Sequence, residues 1–416
     1  MRLLRKFPSS LIPRVAGFWD QGTMSLATLL QTALLARALD RETFGYFSIA
    51  MSISVVMQSL CRSAIFIPYL ISQDDPDRGP SSEWVDAALR LLAWPLIIPI
   101  VLIALYFTTG ITFNFAAVAS GFVLAIGAIY YDINRRLALS VGLYVPVIVC
   151  ASGILVTWLG LAIAAYYFSL NVFTVIGLNG FFCALCGAFL HRIQLHKEEN
   201  VYKRNLYGLT RRNKANVAWN IAAFLPYAVY NNLAPTLIAI YYGPSIVAVY
   251  AATRVLLSPI TMLGAAIDNI DKARASRALR EHGIAGLQRS LLSYGATIVG
   301  LAMPYLCLGY IWCPSLLKLL IGVNLGVHVG EGRAWLLVAV FIVIGQPIET
   351  GLVLLKKSNV YFWSRCIGAG ATIIGLILSD RNNTFAPIFS VMAGWGFSTV
   401  FAAIIIWSAL RGKKYA

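Results

Sequence analysis

Apolar positions run through the chain in long stretches that no charge interrupts. Residues 91–131, 137–190 and 215–253 contain no Asp, Glu, Lys or Arg. A membrane-spanning helix needs roughly 20 apolar residues, so each stretch is long enough for two spans joined by a tight turn. The same reading along the whole chain predicts twelve spans, at 15–38, 44–71, 84–108, 112–132, 141–166, 170–190, 217–241, 244–267, 290–312, 334–355, 359–379 and 386–410. The split between the fifth and sixth rests on the turn signal Phe168-Ser169-Leu170-Asn171. The expected fold class is an all-α polytopic membrane protein. Its transmembrane helices, about twelve, would form two six-helix bundles related by pseudo-two-fold symmetry.

The loop between spans six and seven is long and basic. It sets the expected organisation: an N-terminal six-helix bundle over 1–190, a basic cytoplasmic linker over 191–214 and a C-terminal six-helix bundle over 215–416. Loop lengths repeat between the halves. Residues 39–47 lie over 242–250 when the chain is shifted on itself, each stretch a turn followed by small and aromatic residues that open a helix. Six is even, so the halves would be parallel repeats about an axis along the membrane normal, an arrangement used by transporters with a site at the repeat interface.

Most of the 33 Lys and Arg fall in the N-terminal segment, the even-numbered loops and the tail, while the opposite face keeps Arg41, Lys318, Arg333 and Arg381. Cytoplasmic loops hold such an excess, so both termini are expected in the cytoplasm. The formal net charge of +16 is then topological. Anionic lipid headgroups, not nucleic acid, are its natural partner. The N-terminal apolar segment is too long for a signal peptide, contains Asp20 and leads into further spans.

Composition closes off other classes. The chain is 59% apolar and only 12% charged, against about 25% charged in soluble domains. Seven scattered Cys form no disulfide framework. Cys183-Ala-Leu-Cys186 reads as two small apolar residues one helical turn apart. The four His are isolated, and no cluster has metal-ligand spacing. No glycine-rich phosphate loop is present.

Two segments carry a family resemblance. Ala33-Leu-Leu-Ala-Arg-Ala-Leu-Asp-Arg-Glu-Thr-Phe-Gly45-Tyr-Phe resembles the opening of the polysaccharide exporters of the multidrug/oligosaccharidyl-lipid/polysaccharide (MOP) exporter superfamily. Their pattern is an Ala-Arg-x-Leu run, a short turn, then an aromatic-Gly-x-aromatic step. Val247-Ala-Val-Tyr-Ala-Ala-Thr-Arg254 is similar to the family's Gly-x-Tyr-x-Ala-Ala segment opening span eight, with Ala248 at the usual Gly. The resemblance implies a MATE-like fold and a Wzx-type flippase for a lipid-linked (polyprenyl-pyrophosphate) oligosaccharide in O-antigen or exopolysaccharide assembly. It is not an enzyme on this reading, and has no cofactor. It would work as a monomer, with other polysaccharide assembly proteins as partners.

Ionisable side chains inside spans cost about 2.5–3.5 kcal/mol each on insertion scales, so each needs a reason. Arg62 and Arg254 sit roughly 15 Å from the nearer span end at 1.5 Å per residue. They are expected to line an aqueous cavity or to form structural ion pairs. Arg90 and Arg365 are shallower, at roughly 9 Å, and either face the cavity or snorkel. Arginine suits a lipid pyrophosphate because its fork donates bidentate hydrogen bonds and stays charged. Asp20 and Glu349 are the embedded acids. Either could couple transport to H⁺ or Na⁺, or neutralise an arginine. Asn220, Asn231, Asn232 and Gln346 could contact sugar or bond helix to helix. Pro226, Pro235 and Pro347 are expected to kink their spans.

Two other functions fit parts of this pattern. A drug/cation antiporter of the same fold would need a more acidic site. A membrane polysaccharide polymerase or ligase would need catalytic groups on a large outer loop, and the longest one, 313–332, offers only Lys318, His328, Glu331 and no obvious catalytic grouping.

Overall fold

The computed structural model describes residues 12–63, 114–140, 142–198, 214–322, 329–355, 357–380 and 383–412. The third expected span, with Arg90, lies outside them. The described elements are α1 (Ile12–Ala38), α2 (Arg41–Cys61), α3 (Phe115–Ser140), α4 (Tyr144–Phe168), α5 (Val172–Glu198), α6 (Lys214–Tyr230), α7 (Ala234–Tyr242), α8 (Pro244–Arg254), α9 (Ser258–Ile311), α10 (Cys313–Leu320), α11 (Val329–Leu354), α12 (Ser358–Leu378) and α13 (Ala386–Gly412). A 3₁₀ turn, Val255–Leu257, joins α8 to α9. Among the described residues nine helical segments are long and apolar enough to cross a membrane. The protein is a multi-pass, all-helical membrane protein.

Its surface agrees with that setting. Val156, Phe181, Leu292, Ile374 and Phe397 are large apolar side chains left exposed on five different helices. In water such a surface would drive association; in lipid it is the expected exterior. Backbone contacts divide the chain into two compact units, one of Met1–Leu39 with Tyr46–Ile221, the other of Asp40–Gly45 with Ala222–Ala416.

In the first unit α3 and α5 approach most closely at glycines. A Cβ on Gly127 would lie 1.8 Å from the Gly180 carbonyl oxygen, so only glycine fits. Small residues let backbones touch where lipid supplies no hydrophobic drive. The turn between α4 and α5 falls at the expected residues. Ser169 takes a left-handed φ of 51°, and Asn171 Oδ1 accepts from the Phe173 N–H at 2.9 Å to cap α5.

The start of α2 is also capped from the side chain before it. Asp40 Oδ1 accepts from the backbone N–H of Glu42 and Thr43, both at 3.0 Å. The Thr43 hydroxyl and these N–H donors hold the Asp40 carboxyl below its ordinary value. The stabilisation is therefore complete well above that value and fades as pH falls through the lowered one. Asp40→Ala is expected to cost about 0.5–2 kcal/mol at pH 7. In thermal unfolding of the detergent-solubilised protein, the gap to wild type should shrink as pH falls below the ordinary carboxylate range.

In the second unit the polar connection expected between spans eight and nine is helical. The helix α9 runs through it and folds back at Gly283, whose φ of 62° and ψ of −150° interrupt the helix. Ala275, Leu287 and Leu291 pack with Leu352, Ala402 and Ile406, which fixes the hairpin to α11 and α13. Arg274, Arg277, Arg280 and Arg289 remain exposed on it. The seventh span is also not one helix. It is α6 and α7, separated at Asn231, Asn232 and Leu233.

Candidate functional site

The break in the seventh span has a local cause. Pro235 has no N–H, so the carbonyl of Asn231, four residues earlier, has no helical donor. It accepts instead from Arg254 Nη1 at 3.0 Å. The side chain of the same residue takes the other arm, with Arg254 Nη2 donating to Asn231 Oδ1 at 2.6 Å. The amide is oriented from its far end, where Nδ2 donates to the Tyr227 hydroxyl at 2.7 Å. Arg254 lies within the Pro244–Gly264 span, half-buried, with its guanidinium 5.8 Å from the Trp335 ring centroid. Asn231 and Trp335 are neutral. Among the described residues no carboxylate pairs with Arg254.

Arg365 is placed differently. It is buried and stacked between two aromatic rings, 3.9 Å from the Tyr361 centroid and 4.2 Å from that of Tyr227. Its Nη1 donates to the Ala223 carbonyl at 3.2 Å. Its Nη2 meets the Tyr361 hydroxyl and forms an ion pair with Glu349 Oε2 at 3.3 Å. The Tyr361 hydroxyl donates to that same oxygen at 3.2 Å. Both arginines thus fasten to the broken seventh span, Arg365 at Ala223 and Arg254 at Asn231, with Tyr227 between them.

The first unit holds a second set of charges. Asp20 on α1 is buried, and its Oδ2 lies 3.0 Å from Arg135 Nη1 on α3. Arg135 Nη2 also bonds Asp132 Oδ1, and Asp132 Oδ2 accepts from Arg136 Nε at 2.9 Å. Arg62 stands just past the end of α2, in a wider π-type turn, and is exposed. Its charge is felt at Asp132, yet among the described residues it makes no ion pair. No three His, Cys, Asp or Glu among the described residues gather as metal ligands do.

No known family model matches the chain, and no curated protein matches it in sequence. Solved structures do match it in shape. A multidrug resistance MATE family transporter of the MOP superfamily, in its inward-facing conformation, aligns with a TM-score of 0.63 at 14% identity, over 94% of this chain and 96% of that one. The lipid II flippase MurJ, inward closed, aligns with a TM-score of 0.66 at 14% identity, over 95% and 87%. A MOP superfamily transporter from Pyrococcus furiosus Vc1, for which a reversed polarity of the binding pocket suggests a different function, aligns with a TM-score of 0.60 at 14% identity, over 96% of each. The chain has the fold of MOP superfamily transporters.

Within this MOP fold the six residues singled out from the sequence fall into three groups. Among the described residues Arg62 and Arg254 form no ion pair, although Arg62 is near enough to Asp132 for its charge to be felt there. Arg365 with Glu349, and Asp20 with Arg135, form ion pairs inside their own units. Arg90 lies outside the described residues. The sequence places Arg135 in a loop, past a fourth span that ends at residue 132. The helix α3 continues to Ser140. The signal for this was in the sequence: Asp132 has Arg at both +3 and +4, the spacing of stabilising pairs on one helix face. The pairing of Arg135 with Asp20 had no such signal, since 115 residues of chain separate the two.

Proposed function

We propose that this protein is a flippase. It carries a lipid-linked (polyprenyl-pyrophosphate) oligosaccharide repeat unit across the bacterial inner membrane by alternating access, for O-antigen or exopolysaccharide assembly. It acts as a monomer with both termini in the cytoplasm, alongside other polysaccharide assembly proteins. The observation that carries this reading is Arg254: a half-buried guanidinium within a membrane span, held by one neutral residue and by no described acid. An embedded cation is costly, and a phosphate that accepts from its fork offsets the cost. Arg62 would supply further positive charge, and Arg90 is assigned to the same task. Arg365 supports the site through the seventh span rather than by direct contact.

The sugar head group explains why a protein is needed at all. Each hydroxyl costs several kcal/mol if stripped of water without a partner, so unassisted crossing is negligible. A lipid II flippase is among the structures this chain resembles. The MATE transporters it resembles bring in the drug/cation antiporter as a rival. That rival fits the charges less well, because Asp20 and Glu349 are each already bound to a guanidinium. Coupling to an ion gradient at either acid would have to displace that arginine, which a proton does by neutralising the carboxylate.

Deletion of the gene in its host tests the reading. Lipid-linked repeat units should accumulate on the cytoplasmic side and surface glycan should fall, with both restored by the wild-type chain. Unchanged glycan and unchanged lipid intermediates would overturn it.

A further inference from the structure

We infer that Asn231 is the positioning residue of the anion site: it fixes which edge of Arg254 is offered to a phosphate. The inference rests on the flippase reading and names how that site selects its ligand. A guanidinium presents five N–H donors in a rigid plane. Asn231 takes one from Nη1 through its backbone carbonyl and one from Nη2 through Oδ1. The terminal edge of the fork is therefore consumed. The lateral edge, Nε with the outer N–H of one Nη, is left to donate to a second partner with two oxygens, and a phosphate has that geometry.

Each part of this arrangement follows from neighbouring sequence. Pro235 frees the Asn231 carbonyl by withholding an N–H. Tyr227 fixes the amide orientation, because its hydroxyl accepts from Nδ2 and so turns Oδ1 toward the arginine. Trp335 sets the other side of the guanidinium. Asparagine is the useful residue here because it holds the cation without cancelling its charge. Aspartate has nearly the same shape but would convert Arg254 into an internal ion pair and leave nothing for an incoming anion.

The test uses the full chain in nanodiscs and a sugar-free polyprenyl pyrophosphate as probe. Binding is followed by thermophoresis and by the Trp335 contribution to emission, taken as wild type minus Trp335→Phe. Asn231→Asp is expected to weaken probe binding by at least about tenfold, with thermal stability near that of wild type and the probe-dependent change at Trp335 lost. Asn231→Ala keeps the charge but loosens the plane, and should weaken binding less than Asn231→Asp does. That order separates positioning from a merely structural role, which would make the alanine variant the worse of the two. Should Asn231→Asp fail to fold, the alanine variant still decides: unaltered binding and an unaltered Trp335 response overturn the inference. If Arg254→Ala loses the probe while both Asn231 variants bind it normally, the positioning role fails and the anion site stands. If Arg254→Ala itself binds the probe as wild type does, the anion site fails.

Discussion

Arg135→Ala is expected to destabilise the protein by about 3–5 kcal/mol, the cost of breaking a buried ion pair from one side. Asp20 makes the loss large. Its side chain is 5% exposed, it faces Arg135 at 3.0 Å, and its other oxygen has no hydrogen-bond partner among the described residues. Without the guanidinium the carboxylate would be left charged in the interior or forced to take up a proton. Asp132 would suffer less, because Arg136 remains bound to it. Equilibrium unfolding of the purified protein in mixed detergent micelles measures the effect. The double variant Asp20→Asn with Arg135→Gln removes both charges and keeps the shape, so it should recover most of the loss. An Arg135→Ala variant as stable as wild type would show that the pair does not hold α1 to α3.

The second large effect is functional. Arg254→Ala is expected to reduce translocation by roughly thirty-fold or more, since truncating one partner of a desolvated charge pair costs about 2–5 kcal/mol. The chain should still fold. The change exposes only the Asn231 carbonyl and amide to lost hydrogen bonds, at about 1–3 kcal/mol. Arg254→Lys restores the charge but not the planar fork, so it should recover part of the rate. Surface glycan in a complemented deletion strain reads both variants. Full complementation by Arg254→Ala would remove the reason for assigning an anionic cargo.

The contrast between these two arginines shows what a sequence can and cannot disclose. Hydropathy marks Arg254 as embedded and leaves Arg135 in a loop past span four, because it registers only local polarity. Whether a charge is spent inside the protein depends on which helix lies opposite, and Arg135 on α3 meets Asp20 on α1 only in the folded unit, where α1 packs against α4. Turn chemistry was readable where it is local: Ser169 and Asn171 divide α4 from α5 at the residues the sequence marks. Pro235 was readable as a kink, but its consequence, a carbonyl released to bind Arg254, requires knowing that α8 passes beside the break. The same holds for Arg365. Its position in the span was legible, while its pairing with Glu349 and its place between Tyr227 and Tyr361 arise from three helices meeting. The helical hairpin of α9 was hidden by its charges, which imitate a loop; Ala275 and Leu279, four residues apart, keep a helical apolar face before the break at Gly283, and Leu287 and Leu291 keep one after it.

The proposed role of Arg254, a guanidinium that no described acid pairs with, is to hold a pyrophosphate-bearing lipid. Its most direct test is translocation of a fluorescent polyprenyl-pyrophosphate oligosaccharide in proteoliposomes, followed by loss of signal when a membrane-impermeant quencher is added outside. Wild type should move the lipid well above the protein-free rate, and liposomes carrying Arg254→Ala should not. Equal movement by the two proteins, or none by wild type, would contradict it.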